Sequence, residues 1–230
     1  MKVKVLVIAV LLTVFGVSGA SAATIGLFDY AFNINGTVYS KTTVVPGLNS
    51  SGFDTATGLG TLTLTYSPGV AGAYNILSFF DHEIDETINT FFNEYGDVSG
   101  LPVAGQRWEI DEPGYFFGDI YDHLLAGGFA LDNSNTIPAG SPEDVSMAMG
   151  WNMILAANET ATISLRLATT APAGFYLQQT DPDSQENIYF SSSVRIGGEG
   201  PVIPEPATML LLGSGLAGLV GIGRKKLFKK

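Results

Sequence analysis

Acidic side chains occur in three short runs whose spacing suits cation-binding loops. The run 81–86 places carboxylates at Asp81, Glu83 and Asp85, so that oxygens recur at every second position. The runs 132–135 and 181–186 combine Asp with Asn, Ser and Glu. Calcium takes about six to eight oxygen ligands from such loops, but Asp and Asn are also common wherever a chain turns. Since none of the runs has the central Gly and distal Glu of an EF-hand, calcium binding and simple turn formation both stay open.

The chain has two histidines, His82 and His123, and each directly follows an aspartate. Imidazole and carboxylate groups together bind zinc and other transition metals. The two histidines and Glu83 would share such a site only if the fold brings them together. Without that convergence they are ordinary surface side chains, which is the expectation from their separation in sequence.

The sequence lacks the patterns that catalysis most often requires. There is no cysteine, which excludes thiol catalysis, zinc–thiolate sites and iron–sulfur clusters. No serine-nucleophile elbow and no His-Glu-x-x-His motif occurs. We therefore predict a protein that is not an enzyme and has no cofactor, apart from the calcium that the acidic runs leave open. A carboxylate pair for glycoside hydrolysis is the remaining catalytic alternative.

Aromatic side chains offer a further kind of binding surface. Flat rings stack on the apolar faces of sugars, so an exposed group of them would indicate a carbohydrate-binding module. In a folded domain the same side chains more often fill the core, and we expect this for most of them. The residues concerned are Trp108, Tyr115, Phe116, Phe117, Tyr121 and Trp151.

The long middle part of the chain is strongly acidic. Residues 24–203 contain four basic residues, Lys41, Arg107, Arg166 and Arg195, against 21 acidic ones, a balance of −17. Such a charge repels nucleic acid and anionic lipid surfaces, which excludes nucleic acid as a partner.

Short alternating runs of apolar and polar residues, separated by Gly, Pro, Asn and Asp, predict an all-β domain. The clearest runs are 59–66 and 161–168, where Leu or Ile alternates with Thr, Ser or Arg. Asn35-Gly36 between two such runs predicts a hairpin with a type I′ turn. About eight strands over residues 24–196 indicate a single β-sandwich, immunoglobulin-like or jelly-roll. Residues 197–203, rich in Gly and Pro, would be a spacer.

Four segments carry weaker patterns. Residues 42–45 predict one short strand within a polar loop, and residues 73–80 predict a strand that ends where the acidic run 81–86 begins. Apolar residues spaced by three and four between Ile84 and Tyr95 favour a loop or a short helix. Residues 119–129 indicate no single type of element.

The first 23 residues have the three parts of a secretory signal peptide. Residues 1–4 form a basic start and residues 5–17 an apolar core, and Ala20, Ala22 and Ala23 supply the small side chains that signal peptidase requires. We expect cleavage after Ala22 or Ala23 and export of the residues that follow.

The last 27 residues combine a proline-rich tripeptide, an uncharged stretch and a basic end. Pro204 and Pro206 hold the backbone around Glu205 extended. Residues 207–223 have no ionisable side chain, and as a helix they would be roughly 25 Å long, near the about 30 Å of a hydrocarbon core. Because basic residues stay cytoplasmic, we expect a membrane-spanning helix with the acidic domain on the far side. The basic end consists of Arg224, Lys225, Lys226, Lys229 and Lys230.

This order of elements resembles the PEP-CTERM sorting signal of Gram-negative bacteria, most specifically over residues 202–213 and the small-residue stretch 215–218. The resemblance implies recognition by exosortase, a membrane-embedded cysteine transpeptidase-like protease, at Pro204-Glu205-Pro206. It also implies a single-pass intermediate in the inner membrane, followed by a mature protein at the cell surface or in the extracellular matrix.

The resemblance also suggests a role for the exported domain. In proteins of this kind that domain is typically a structural or adhesive component of a surface associated with exopolysaccharide, so extracellular polysaccharide is the expected partner. A carbohydrate-binding module, a calcium-stabilised adhesin and a glycan-active hydrolase are the alternatives.

Overall fold

The computed structural model describes residues 24–85 and 90–197. Within these ranges the chain forms eleven β-strands, one α-helix and one 3-10 helix, which confirms the prediction of an all-β domain. Helix α1, Ile120–Ala126, lies between β7 and β8, and the 3-10 helix, Phe91–Asn93, lies between β5 and β6. The strands are β1 Ile25–Ile34, β2 Thr37–Ser40, β3 Leu48–Asp54, β4 Leu59–Tyr66, β5 Gly72–Ile84, β6 Tyr95–Ser99, β7 Gln106–Asp111, β8 Ser146–Leu155, β9 Thr160–Ala168, β10 Tyr176–Thr180 and β11 Asn187–Gly197.

The strands form two antiparallel sheets that pack face to face as a sandwich. The five-stranded sheet has the order β2-β1-β5-β8-β7, and the six-stranded sheet has the order β3-β4-β9-β11-β10-β6. Side chains from the facing surfaces of both sheets form one continuous apolar core. A sandwich of this kind leaves one outer face on each sheet, which is where polar or functional side chains can collect.

The turn between β1 and β2 has the predicted geometry. Asn35 and Gly36 both have positive φ, 50° and 87°, as a type I′ turn requires. The strands on either side pair in register from Ile34 opposite Thr37. Asn33 Oδ1 accepts a hydrogen bond of 2.8 Å from the Gly36 amide, which further stabilises the turn.

The predicted alternation in β4 and β9 produces the buried surface of the six-stranded sheet. Leu62 and Leu64 point into the core from β4, and Ile163, Leu165 and Leu167 do so from β9. The intervening residues of both strands remain at least partly exposed. A period of two therefore identified the inward face of these strands correctly.

Helix α1 covers the outer face of the five-stranded sheet. Ile120 and Leu124 of the helix pack on Leu77 and Phe79 of β5 in a second apolar cluster, separate from the core between the sheets. Asn33 Nδ2 donates hydrogen bonds to the carbonyls of Leu124, at 2.7 Å, and Leu125, at 3.3 Å. Since isolated helices of seven residues are marginal in water, α1 depends on this packing and on the capped carbonyls.

Two predicted boundaries are wrong because strand pairing overrides local pattern. Residues 42–45 form no strand; the strand in this region is β3, whose Gly- and Ser-rich sequence is held by pairing with β4. Strand β5 does not end at Phe80 but continues to Ile84, because β1 and β8 pair with it as far as Ile84 and Asp81 respectively. The first acidic run therefore begins on a central strand and not in a loop.

The segment with helical spacing also differs in part from the prediction. Among its described residues, 84–85 and 90–95, the helical portion is limited to the 3-10 helix, and Tyr95 already belongs to β6, which pairs with β10. Apolar spacing alone did not reveal that the segment returns to a sheet.

Several predictions concern residues outside the described ranges. These are the signal peptide over residues 1–23, most of the spacer, and the tripeptide, apolar stretch and basic end over residues 204–230. Among the residues that the structure describes, no helix combines the length and apolar character needed to cross a membrane.

Candidate functional site

A groove of about 630 Å³ is lined by residues of β7, β8, β9 and β11 and of the segments that precede β7 and β10. Its walls combine polar groups, including Gln106, Arg166 and Ser192, with Trp151 and Phe175. Trp151 Nε1 donates a hydrogen bond of 2.7 Å to Ser192 Oγ, and Gln106 Nε2 donates one of 3.3 Å to the Ser192 carbonyl. These contacts hold the polar lining in place, so the groove is a preformed surface with hydrogen-bonding groups.

The six aromatic residues singled out in the sequence do not form one platform. Trp151 is buried in the core, Tyr121 packs edge-on against Phe79 outside it, and half-buried Trp108 packs on Phe175. The expectation that most of the six fill the core is wrong, because Trp151 alone of the six is buried there and the other three are exposed. Their exposures are 50% for Tyr115, 95% for Phe116 and 71% for Phe117.

Two of these exposed rings belong to a phenylalanine cleft that the sequence did not indicate. Phe116 and Phe117 face Phe91 and Phe92 across a volume of about 330 Å³, together with Pro113. Acidic residues Glu112, Glu143 and Asp144 complete the lining. The cleft is formed by three segments that are distant in sequence, and no single run of residues carries its signal.

Carboxylates collect on the outer face of the five-stranded sheet, beside α1. Asp29 of β1, Asp81 of β5, Ser146 of β8 and Asp111 of β7 are successive neighbours across four strands. Residues directly opposite each other in antiparallel strands project to the same face, so these side chains form a row. The hydroxyl of Tyr115 donates a hydrogen bond of 3.2 Å to Asp29 Oδ2 at one end of this row.

Asp81 is the most deeply buried carboxylate of this row. One carboxylate oxygen each from Asp81, Glu83 and Asp144 lie within 4.8 Å of one another. Burial raises the pKa of Asp81 well above its usual range, and the charges of Asp144 and Glu83 raise it further. The three groups form a compact cluster of oxygen donors, which we call the acidic cluster.

His82 lies on the opposite side of the same strand, inside the sandwich. The expectation of a surface histidine is wrong, because the side chain is fully buried and its Nε2 lies 3.3 Å from the Gly58 carbonyl. Burial lowers the pKa of His82 to about 4, so the ring is neutral at physiological pH. Glu94 is also buried, and burial raises its pKa to about 9. The Ile84 amide and Gln179 Nε2 both donate hydrogen bonds to its carboxyl group.

His123 forms an ion pair on the outer face instead of joining His82. Its Nδ1 lies 2.9 Å from both carboxylate oxygens of Glu109 on β7 and 3.5 Å from Asp119 Oδ1. Burial raises the pKa of Glu109 to about 7. The pKa of His123 is also raised, since its hydrogen bond and attraction to Glu109 outweigh the opposing effect of burial. The two histidines thus lie on opposite faces of one sheet and cannot share a metal site.

The other two acidic runs use their oxygens to form turns. Asp132 Oδ1 accepts a hydrogen bond of 2.9 Å from the Ser134 amide. Buried Asp181 accepts hydrogen bonds from the amides of Asp183 and Ser184 and from the Ser184 hydroxyl. These contacts support the turn interpretation for the runs 132–135 and 181–186.

Comparison with known proteins identifies one feature, and it lies outside the sandwich. Residues 202–225 match the PEP-CTERM protein-sorting motif, which includes Pro204, Glu205, Pro206, Arg224 and Lys225. No curated protein and no solved structure matches the chain. The motif confirms the resemblance drawn from the sequence and implies an exosortase-sorted extracellular protein.

Proposed function

We propose that this chain is an exported structural or adhesive protein, without catalytic activity, of the bacterial cell surface or extracellular matrix. The match of residues 202–225 to the PEP-CTERM sorting motif is the observation that carries the proposal. Signal peptidase would act after Ala22 or Ala23, and exosortase would act at Pro204-Glu205-Pro206. Before that second step, residues 207–223 would hold the chain in the inner membrane, with the basic end in the cytoplasm.

Intact-mass analysis of the protein from its native host, with and without exosortase, tests this processing. The expected mature chain begins near Thr24 in both strains, and in the wild type it ends within a few residues of Pro206. In the strain without exosortase the C-terminus is expected to extend to Lys230. An unshortened C-terminus in both strains would contradict processing by exosortase, and an intact N-terminus would contradict export through a signal peptide.

Extracellular polysaccharide is the partner that we propose for the exported domain. The groove supports this, because it combines the hydroxyl, amide and guanidinium groups that hydrogen-bond sugars with the partly exposed ring of Phe175. Arg166 also supplies positive charge in a domain that has a large excess of acidic residues.

A binding role fits the groove better than hydrolysis. Glycoside hydrolysis generally uses two carboxyl groups that flank the scissile bond. Among the described residues that line the groove there is no Asp or Glu. The carboxyl groups of Asp81 and Glu94, whose pKa values are raised by burial, lie elsewhere. This arrangement supports a non-catalytic protein.

Co-sedimentation with exopolysaccharide purified from the same host tests the groove. Arg166→Ala is expected to reduce the bound fraction several-fold, because an Arg that hydrogen-bonds a ligand contributes about 1.5 to 3 kcal/mol. Arg195→Ala is the matched control, since Arg195 is an exposed arginine of the same sheet that does not line the groove. Equal binding by both variants and the wild type would contradict the proposed groove. Loss with Phe117→Ala alone would move the site to the phenylalanine cleft.

A further inference from the structure

The acidic cluster is positioned by the register of two central strands. Asp81 lies opposite Ser146 in the pairing of β5 with β8. Two residues further along this antiparallel register, Glu83 comes opposite Asp144, just before β8 begins. Because side chains two apart on a strand project to the same face, Asp81 and Glu83 both point to the outer side of the sheet. This explains how oxygens of three carboxylates come within 4.8 Å of one another.

The environment of Asp81 is unfavourable for a carboxylate without a cation. Its side chain is 1% exposed, and within the described residues its Oδ1 accepts no hydrogen bond. No lysine or arginine of the described residues forms an ion pair with Asp81, since their one such contact joins Lys41 to Asp29. Buried polar atoms normally have a partner, because leaving one without a hydrogen bond or a counter-charge costs free energy.

The neighbouring hydroxyl group gives a second observation of the same kind. Ser146 is fully buried opposite Asp81, and its Oγ also has no hydrogen-bond partner among the described residues. The hydroxyl is near enough to Asp81 to favour the charged carboxylate, but the two groups do not reach hydrogen-bonding geometry. Asp81 Oδ1 and Ser146 Oγ, which belong to facing residues, are therefore both buried without a hydrogen-bond partner among the described residues.

We propose that Asp81, Glu83 and Asp144 bind a calcium ion, with Ser146 Oγ as a neighbouring oxygen ligand. An all-oxygen set of mostly carboxylates selects a hard divalent cation. Calcium–oxygen distances of about 2.3 to 2.6 Å allow opposite ligands to be up to about 5 Å apart, which accommodates the spacing of this cluster. Magnesium, at about 2.1 Å, would require the oxygens to move closer together.

The site would link strand β5 to the segment that enters β8. Asp144 also lines the phenylalanine cleft, so the ion would fix one wall of that cleft. Calcium sites of extracellular modules have dissociation constants of about 10⁻⁴ to 10⁻³ M, which suits a protein that acts outside the cell. The inference concerns the folded domain and does not depend on whether the partner is a polysaccharide.

Thermal unfolding of the purified exported protein, in EDTA and in increasing CaCl₂, tests the site. For the wild type, calcium at a hundredfold excess over its dissociation constant is expected to raise Tm by roughly 5 to 10 °C. Asp81→Asn is expected to lose this shift. In EDTA the variant is expected to melt at the same temperature as the wild type or higher, because the amide removes one of three mutually repelling charges.

Asp183→Asn is the matched control, because it removes one carboxylate from a turn of the same acidic domain. It is expected to keep the full calcium shift, with titration calorimetry giving one ion per chain for both it and the wild type. Several results would overturn the proposal: no shift in the wild type at 10 mM calcium, an equal shift with magnesium, or a shift that survives in Asp81→Asn. The last two would show general screening of negative charge instead of a specific site.

Discussion

Replacement of Glu109 by glutamine should change how stability depends on pH, because Glu109 is buried between β7 and α1. Its carboxylate accepts hydrogen bonds from the Asp132 amide and contacts His123 Nδ1 at 2.9 Å. Glutamine has nearly the same shape as protonated glutamic acid and can keep the acceptor for Asp132. The substitution therefore removes the ionisation of residue 109 while it leaves most of the packing intact.

The magnitude follows from the difference between the folded and unfolded pKa. Burial raises the pKa of Glu109 from 4.5 to about 7. A raised acid pKa means that the folded state binds the proton more tightly, so this contribution to stability is complete below pH 4.5 and is lost as the pH rises through 7. A pKa unit corresponds to about 1.4 kcal/mol, and a discount for the solvent that reaches the partly exposed His123 gives a change of about 2 to 3 kcal/mol.

Urea unfolding of the wild type and Glu109→Gln at several pH values between 4.5 and 8.5 measures this change. The free energies of unfolding are expected to be similar near pH 4.5. Between pH 4.5 and 8 the variant is expected to gain about 2 to 3 kcal/mol relative to the wild type. Subtraction of one curve from the other removes the contributions of ionisable groups distant from residue 109, which are common to both proteins. The contribution of His123, whose raised pKa depends on Glu109, stays in the difference and has the same sign.

Asp122→Asn provides the control, because Asp122 is an exposed carboxylate on the same helix. A pH-dependent difference as large as that of Glu109→Gln would show that the effect does not come from the buried position of the carboxylate. The reasoning would be refuted if the difference for Glu109→Gln were independent of pH. It would also be refuted if the variant lost stability relative to the wild type as the pH increased.

Two further substitutions test the packing around α1. Gly150→Ala is expected to lower the free energy of unfolding, measured by thermal unfolding, by about 1 to 3 kcal/mol, because the new Cβ would overlap Leu77 Cδ2. In the double variant with Leu77→Ala, the loss of stability is expected to be smaller than the sum of the two single losses, because the overlap is removed. Asn33→Ala is expected to lower the free energy of unfolding by about 1 to 3 kcal/mol, because the Leu124 carbonyl loses its buried hydrogen bond and the Gly36 amide loses its acceptor. Hydrogen exchange of the backbone amides in α1 is expected to become faster. Unchanged exchange in α1 would contradict the capping role of Asn33.

Local signals in the sequence were sufficient for the fold class and the sorting motif. The Asn35-Gly36 turn and the alternation in β4 are properties of short segments, and both are found where the sequence places them. The sorting motif is likewise a continuous stretch, matched over residues 202–225. Such features depend on neighbours in the chain, so they can be inferred before the fold is known.

The candidate sites depend on contacts between distant residues, and for this reason the sequence did not reveal them. The polar composition of the acidic run from Asp81 predicts a loop, whereas pairing of β5 with β1 and β8 extends the strand into this run as far as Ile84. Asp144 joins Asp81 and Glu83 from 61 positions beyond Glu83 only because of that register. Likewise, His123 meets Glu109 because α1 docks on the outer face of the sheet.

The position of β11 has a consequence for the order of events during secretion. This last strand lies inside the six-stranded sheet, between β9 and β10, and not at its edge. The sheet consequently cannot be completed until residue 197 has emerged from the translocation channel. Only residues 198–206 then precede the stretch 207–223 that we propose to lie in the inner membrane, so by the proposed route the sandwich would fold only after nearly all of it has been translocated. The sandwich would close at the outer surface of that membrane, where the sorting protease meets its substrate.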